Sequence, residues 1–333
     1  MISTVAARLF MLFSMVWAAA TLNFFVPRLT GTNPIEERLA EIAGQGGGSM
    51  IGVEEMIRAY TERFGLDRPL WQQYLDYLYS VMTFDLGYSI ANYPARVGDM
   101  IAAALPWTIG LLGTTTLISF AIGSLLGALA AWPKAPAIFR RSLPFQMVLA
   151  ATPFYLIALV IVYVFAFRLQ WFPNGGGHAL GAPREWTPGF ILDVLYHSLL
   201  PAFAIVIASM GTWAVGMRGM MVNIQGEDYM NFAEAKGLKP RRVFLHYGVR
   251  NAILPQLTAV TMSFGQLITG SVLVEMVFNY PGVGSLMFQA VKLSDFFTIY
   301  GCVLILVLVT GVAMLLLDLL SPLLDPRIQV RRA

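Results

Sequence analysis

The chain contains several uninterrupted apolar stretches, each long enough to cross a lipid bilayer as an α-helix. Crossing a hydrocarbon core of about 30 Å takes roughly 20 consecutive apolar residues. Since 57% of the residues are hydrophobic and only 12% are charged, one soluble core could not bury all of this apolar surface. We therefore predict an all-α, polytopic membrane protein. Its six predicted transmembrane helices are 6–26, 105–132, 143–167, 199–222, 256–278 and 297–320.

Basic residues predict the orientation of these spans. The apolar run of the first span exceeds a typical signal core, so we expect it to be retained. An even number of spans puts both termini on one side, and loops rich in Lys and Arg face the cytoplasm. Such residues cluster between spans two and three and between spans four and five. They are Lys134, Arg140, Arg141, Lys236, Lys239, Arg241, Arg242 and Arg250. Both termini are therefore predicted to be cytoplasmic.

The segment after the first span is predicted to form a small extracytoplasmic helical subdomain. One amphipathic helix is expected between Val53 and Phe64, and a second after Pro69, using Leu70, Tyr74 and Leu78. The predicted organisation is a first transmembrane helix, this subdomain, a five-helix core with a cytoplasmic loop, and a cytoplasmic tail. The corresponding ranges are 1–26, 27–104, 105–320 with the loop at 223–255, and 321–333.

Several classes of function are disfavoured by the sequence. The single cysteine, Cys302, lies in an apolar run, and we expect no metal site and no catalytic residue. A net charge of +3 does not indicate nucleic acid, because the basic residues fall in short loops between spans. An intramembrane hydrolase would need a histidine or paired aspartates at membrane depth, and no predicted span contains a histidine. A Gly-x-x-x-x-Gly-Lys-Ser/Thr phosphate loop is missing as well.

A charged island at residues 227–255 interrupts the apolar sequence. It contains Glu227-Asp228-Tyr229, then Ala233-Glu234-Ala235-Lys236-Gly237, Arg241-Arg242, and Arg250-Asn251-Ala252-Ile253-Leu254-Pro255. Further motifs are Gly65-Leu66-Asp67-Arg68-Pro69, Asp85-Leu86-Gly87-Tyr88-Ser89 and Leu324-Asp325-Pro326-Arg327. Together they resemble the oligopeptide/dipeptide branch of ABC importer permeases, whose coupling loop is the contact site for the ATPase. Asn231-Phe232-Ala233 departs from the general Glu-Ala-Ala pattern of that loop.

This resemblance implies the fold of an ABC type I importer permease in the bacterial inner membrane. It implies a subunit that moves short peptides by alternating access and is not itself an enzyme. Implied partners are two ATP-binding subunits, a second homologous permease, an extracytoplasmic solute-binding protein and the lipid bilayer. ATP and Mg would be held by the partner subunits, with no cofactor on this chain. The implied coupling residues are Glu227, Asp228, Tyr229, Ala233, Glu234, Ala235, Lys236, Gly237, Arg241 and Arg242.

The residue types of this island suit a short, rigid helix. Asp228 or Asn231 is expected to cap its start, and Ala233 and Ala235 to allow close packing in a groove of the partner. Gly237 can adopt the positive φ of a sharp helix end, and Pro255 is expected to begin span five. The basic residues are suited to carboxylates of the ATPase or to lipid phosphates. Alternatively, they only fix topology.

Polar residues within spans usually face a bundle interior or a water-filled cavity. The predicted translocation path comprises Ser209, Thr212, Trp213, Gln266, Thr269, Glu275 and Asn279. Glu275 is expected to gate this path or meet a substrate amine; alternatively, it reaches interfacial water or pairs with Arg96 or Arg184. The hydroxyls of span two, Thr108 among them, line the path or bond carbonyls of their own helix. Gly123 and Gly127 are predicted to allow close helix packing.

Two alternatives concern substrate and energy source. The same machinery could import oligosaccharides or nickel complexes, and segments 23–28 and 278–282 resemble members associated with oligosaccharides. A secondary transporter driven by an ion gradient is the alternative of another class. It predicts charged relays in mid-span, whereas Glu275 and Asp318 lie near span ends.

Overall fold

The computed structural model describes residues 2–29, 68–179, 181 and 187–324. The side chains of 2–5, 27–29, 258, 261–271 and 317–324 are not among those described. Apart from loops and an isolated bridge between Tyr88 and Arg96, this part of the chain is helical. Its helices are α1 (Ile2–Leu29), α2 (Leu70–Thr83), α3 (Val97–Ala131), α4 (Ala137–Arg141), α5 (Leu143–Ala151), α6 (Phe154–Ile161), α7 (Pro188–Gln225), α8 (Asp228–Ala235), α9 (Pro240–Arg242), α10 (Arg250–Val277), α11 (Val283–Lys292) and α12 (Phe296–Leu324).

Four helices in the described residues are long and apolar enough to span a membrane. They are Ala6–Val26 within α1, the whole of α3 and α7, and Phe296–Leu316 within α12. Residues 137–168 form two helical parts that meet at a bend, and they make a fifth span if the two parts are counted as one span. The predicted span 256–278 lies in α10, but the side chains of 261–271 are outside the description. The all-helical membrane fold is confirmed, and the count of six spans stays a prediction.

The third predicted span, 143–167, is not one straight helix. Helices α4 and α5 are followed by α6 and a π-helical segment (Val162–Arg168), and the two parts meet at an angle of 104°. Pro153 explains the break, because its ring disfavours helical geometry at the residue before it. Thr152 accordingly adopts extended backbone angles, with φ −89° and ψ 126°.

Helix α2 is the amphipathic helix predicted after Pro69, which occupies its N-cap position. The other predicted helix of that subdomain, between Val53 and Phe64, lies outside the described residues. So do the motif residues 65–67 and 325–327.

The chain divides into two compact units. The first comprises the described residues up to Pro106 together with Gly282–Leu315. Its polar centre is Asp295, which is buried and accepts hydrogen bonds from the Thr298 backbone at 3.3 Å and from the Thr298 hydroxyl at 2.8 Å. Asp295 thereby caps the start of α12. Its carboxylate also accepts hydrogen bonds from the Ser89 hydroxyl and the Ile90 backbone, fixing the loop after α2.

The second unit contains the described residues of Trp107–Pro281. Within it α3 and α7 approach so closely at two glycines that no side chain would fit. A Cβ on Gly123 would lie 2.5 Å from the Met210 carbonyl oxygen, and one on Gly127 would lie 2.1 Å from that of Ala214. The packing role predicted for this glycine pair therefore agrees with the geometry.

Helix α7 makes two further close contacts in this unit. A Cβ on Gly211 would lie 2.6 Å from the Gln146 carbonyl oxygen in α5. On another side, the Gln256 amide of α10 donates a hydrogen bond to the Trp213 carbonyl at 2.8 Å. Helix α7 is thus in contact with α3, α5 and α10.

Gly127→Ala is expected to destabilise the protein, whereas Gly113→Ala in the same helix is not. A methyl group at residue 127 must displace backbone, and overpacking of this kind costs about 1–3 kcal/mol. Around Gly113 there is open space within 4 Å, and alanine has the higher helix propensity. Thermal unfolding in detergent measures both variants. Equal melting temperatures for the two would contradict the tight α3–α7 contact.

Candidate coupling loop and translocation path

The predicted coupling helix exists as α8, which begins directly after the long helix α7. Glu227 occupies the N-cap position with φ −79° and ψ 143°, but its side chain makes no capping hydrogen bond. The prediction that Asp228 or Asn231 caps this helix is therefore wrong. Asp228 lies in the first turn instead, where its negative charge interacts favourably with the positive end of the helix dipole.

Helix α8 has one buried face, formed by Met230 and Ala233. They are 4% and 2% exposed and belong to a hydrophobic cluster, here named the Met221 cluster. Its members are Ala128, Trp132, Met217, Met221, Met230, Ala233, Val243, Phe244 and Ala252. Tyr229 packs against it and is partly buried. The expectation that Ala233 packs in a partner groove is wrong, because its methyl group points into its own chain.

The other face of α8 is exposed and contains an aromatic residue that the motif analysis did not select. Phe232 is 68% exposed, although phenylalanine is normally a core residue. Asp228, Asn231 and Ala235 are exposed as well. The departure from Glu-Ala-Ala noted at Asn231-Phe232 therefore puts an amide and a phenyl ring on the accessible surface.

Gly237 ends the helix as predicted. Its φ is +68°, and the hydrogen bonds are those of a Schellman motif. Leu238 N donates to the Ala233 carbonyl at 3.4 Å, and Gly237 N donates to the Glu234 carbonyl at 2.9 Å. Leu238 then packs against the Met221 cluster. Ala233 before the turn and Leu238 after it therefore both contact this cluster.

An ion pair connects α8 with the loop after α3. Lys134 Nζ lies 3.1 Å from Glu234 Oε1, and both side chains are about half exposed. Such a pair contributes little stability, but it occupies the carboxylate that the motif predicts for coupling. Nearby, the uncharged Gln225 side chain donates a hydrogen bond to the Ala131 carbonyl at 3.0 Å.

The remainder of the loop is basic and helical. Lys236, Arg241 and Arg242 are exposed. A π-helical segment, Val243–Val249, leads into α10 without interruption. The prediction that Pro255 begins span five is wrong, since α10 starts at Arg250 and Pro255 lies within it.

The predicted path residues on α7 do not share one environment. Ser209 and Trp213 are one turn apart and buried, whereas Thr212 is exposed. The Trp213 ring packs edge-on against Phe120 at 5.3 Å, and the Ser209 hydroxyl has no hydrogen-bond partner in the described part of the chain. The side chains of Gln266 and Thr269 lie outside the described residues.

Glu275 is fully buried, which excludes the alternative that it reaches interfacial water. Thr108 donates a hydrogen bond to its Oε1 at 2.7 Å. Three other hydroxyls of this helix, those of Thr114, Thr115 and Ser119, donate instead to backbone carbonyls of α3 itself. Arg184 lies outside the described residues.

Beside Glu275 lies a set of contacts that sequence reasoning missed, here named the Tyr280 junction. It consists of Trp107, Gly175, Gly177, His178, Ser198, Tyr280 and Pro281. Tyr280 N donates to the Glu275 carbonyl at 2.8 Å, and its hydroxyl lies 2.9 Å from that of Ser198. Burial raises the pKa of the Tyr280 phenol above its ordinary value, so the phenol stays neutral at physiological pH. Asn279 is exposed, with φ +46°.

Glycines and aromatic rings close this junction. Gly176 N donates to the Phe278 carbonyl at 2.9 Å, and a Cβ on Gly177 would lie 2.7 Å from Pro281 and 2.8 Å from Trp107. The Trp107 ring is 5.6 Å from Tyr280 and 6.2 Å from His178. The Pro281-Gly282 pair and the three glycines at 175–177 are visible in the sequence, but the contact between them joins segments about a hundred residues apart.

Residues 123–330 match the family of binding-protein-dependent transport system inner membrane components. The chain belongs to this family. It is therefore a membrane permease component of an ABC importer, a multi-pass inner-membrane protein, and ATP hydrolysis belongs to separate subunits. Membership also implies, in general terms, a second permease and a binding protein.

Curated relatives of this permease agree with the assignment. The oligopeptide transport system permease AppB of Bacillus subtilis is 32% identical over 81% of this chain and 84% of its own length. A putative peptide permease of Brucella ovis is 31% identical over 97% and 98%. The di/tripeptide permease DppB of Pseudomonas aeruginosa is 28% identical over the full length of both chains.

A solved structure of the MetNI methionine ABC transporter has the same fold as this permease. The TM-score is 0.52 at 12% identity, covering 68% of this chain and 96% of the other. The match supports the importer permease fold that the resemblance implied.

Thr108→Val is expected to lower the melting temperature of the permease more than Thr114→Val. The first change removes a donor from a buried carboxylate, which costs about 1–3 kcal/mol. The second removes only the bonds that an exposed hydroxyl donates to the Gly110 and Leu111 carbonyls of its own helix. Thermal unfolding in detergent is the measurement. In a Glu275→Gln background the Thr108 effect should shrink, and an undiminished effect would argue against the Thr108–Glu275 bond as its cause.

Proposed function

We propose that this permease imports short peptides, using the exposed face of α8 as the docking site for a partner ATPase subunit. The observation that carries the proposal is the two-faced arrangement of α8. Met230 and Ala233 anchor it in the Met221 cluster, while Phe232, Asn231 and Asp228 remain accessible. A helix fixed on one side and free on the other can transmit a displacement from a bound partner to the spans.

Phe232 is the proposed anchor of this contact. Buried aromatic side chains surrounded by weaker contacts dominate many protein interfaces. The exposed neighbours Asp228, Lys236, Arg241 and Arg242 supply charges at the rim, where they favour association rate and specificity. Glu227, Ala235 and Gly237 define the ends of the docking helix, and Tyr229 steadies it from the buried side.

The proposed complex contains two ATPase subunits, a second permease and an external binding protein. ATP-driven closure of the ATPases would displace α8 and switch the permease between inward-open and outward-open states. Glu275, Asn279 and the Tyr280 junction are proposed to close the path at the external end, with Ser209 and Trp213 nearer the membrane centre. Gln266 and Thr269 are proposed to line the path between them.

Peptide is the proposed substrate because relatives along most of the chain are named for oligopeptides, dipeptides or glutathione. The proposed delivery form is a peptide-loaded binding protein.

Phe232→Ala is expected to weaken binding of the ATPase subunit roughly tenfold or more, the typical effect of truncating an interface anchor. Val291→Ala, another exposed apolar side chain (56%) that is not on α8, serves as the control. The assay reconstitutes the complex in vesicles loaded with ATP and measures uptake of labelled peptide and of labelled oligosaccharide. Uptake should require ATP, persist without a proton gradient, and fall in the Phe232 variant only.

Three results would reject parts of this proposal separately. Normal uptake with Phe232→Ala would reject the docking anchor. Uptake driven by a proton gradient without ATP would indicate a secondary transporter. Uptake of oligosaccharide but not peptide would reject the substrate.

The proposed topology puts both termini and α8 in the cytoplasm. Cysteine at residue 236 (Lys236→Cys) should react with a membrane-impermeant maleimide in inside-out vesicles and not in right-side-out vesicles. Asp85→Cys, in the loop after α2, is the control and should show the opposite pattern. The native Cys302 is buried and should stay unlabelled. Labelling of residue 236 from the outside would reverse the topology.

A further inference from the structure

Helix α2 carries an exposed apolar stripe that neither the coupling nor the transport proposal uses. Trp71, Leu75, Tyr79 and Met82 follow at steps of four, four and three residues, so they line one face of the helix. Their exposed fractions are 62%, 55%, 71% and 74%. Isolated exposed apolar residues are common, but a continuous stripe marks an interaction surface.

A second face of α2 fixes it to the membrane-spanning helices of the first unit. The Tyr74 hydroxyl lies 2.8 Å from that of Thr21, and its ring packs on Phe24 at 5.2 Å and Phe25 at 5.3 Å. The Tyr77 ring lies 5.6 Å from Phe24 and 6.5 Å from Tyr300. These contacts hold α2 beside both α1 and α12.

These contacts also define the height of α2 relative to the bilayer. Thr21, Phe24 and Phe25 lie in the last turns of the apolar segment Ala6–Val26, and Tyr300 lies in the second turn of Phe296–Leu316. The ends of two spans mark the boundary between hydrocarbon and headgroups. Trp and Tyr are enriched at this boundary, and the stripe contains one of each, Trp71 and Tyr79.

Exposed apolar surface of α1 lies beside these contacts. Leu22, Phe25 and Val26 are 63%, 40% and 55% exposed, and Phe25 touches Tyr74 of α2. A further face of α2 is polar: Asp76 is exposed and pairs with Arg68 at 2.9 Å. The helix thus has a face on protein, an apolar face and a polar face, the pattern of a helix that lies in a membrane interface.

We propose that α2 is an interfacial helix whose stripe of Trp71, Leu75, Tyr79 and Met82 inserts into the acyl-chain boundary of the bilayer, with Asp76 toward water. The lipid surface is the partner of this stripe. This contact sets the height of α2 relative to the bilayer. The topology proposed above makes this the outer leaflet, but the lipid contact holds on either side of the membrane.

Spin labels on α2 test the proposal in the complete transport complex in lipid nanodiscs. Cysteines are introduced one at a time as Leu75→Cys, Tyr79→Cys and, as the matched control, Asp76→Cys. Labels at 75 and 79 should be relaxed several-fold more by oxygen, which concentrates in lipid, than by a water-soluble nickel chelate. The label at 76 should show the reverse. Accessibility to nickel at all three sites, or to neither reagent at 75 and 79, would overturn the proposal.

A photocrosslinker at Tyr79 distinguishes lipid from protein as the covering surface. A photoreactive phenylalanine analogue at this position is close in size to tyrosine, so the fold should survive. The expected product is a lipid adduct of the permease. An adduct to residues 30–67 of the same chain, to the second permease or to the binding protein would instead show that protein covers the stripe, and the proposal would be wrong.

Discussion

Close backbone contact along α7 is the constraint on which the second unit depends. Lipid tails are as apolar as leucine, so helices in a membrane associate where small residues let their backbones approach. Helix α7 meets α3 at Gly123 and Gly127, and its own Gly211 meets α5. The hydrogen bond from Gln256 to the Trp213 carbonyl connects α10 to α7 as well. A helix held on several sides moves with its neighbours, because a packed interface does not deform continuously.

The same helix connects the two candidate sites. Ser198, near one end of α7, bonds Tyr280, and Met217 and Met221, near the other end, form the cluster that buries the underside of α8. From Ser198 to Met221 the helix rises about 35 Å. A displacement of α8 must therefore either shear the Met221 cluster or move α7, and movement of α7 acts on the Tyr280 junction. This continuity is a physical basis for coupling between the proposed docking helix α8 and the Tyr280 junction.

What the sequence could predict follows from how local each feature is. The left-handed end at Gly237 and the helix after Pro69 depend on neighbours within a few residues. The four-residue spacing of Gly123 and Gly127 is likewise a local signal for close packing, although their contacts are with α7. The inward direction of Ala233 depends on α7 and on Val243–Val249, so an eight-residue helix could not reveal it. The Thr108–Glu275 bond joins residues 167 positions apart. Pro153 did carry a local signal for the bend, but the length of the apolar run predicts a continuous span.

Several buried polar atoms destabilise the packed core of the second unit. Their effect opposes the stabilisation that comes from the close glycine contacts. The hydroxyls of Thr116, Ser124 and Ser209 and the Gln146 Oε1 atom are buried and find no hydrogen-bond partner among the described residues; they lie on the helices that the glycines join. Each such atom costs about 1–3 kcal/mol. Opening α3 from α7 would lose the close glycine contacts but admit water to polar atoms that now lack partners. The two effects oppose each other within the same helices, so the packing lost on opening is partly offset, as a transporter that alternates between states requires.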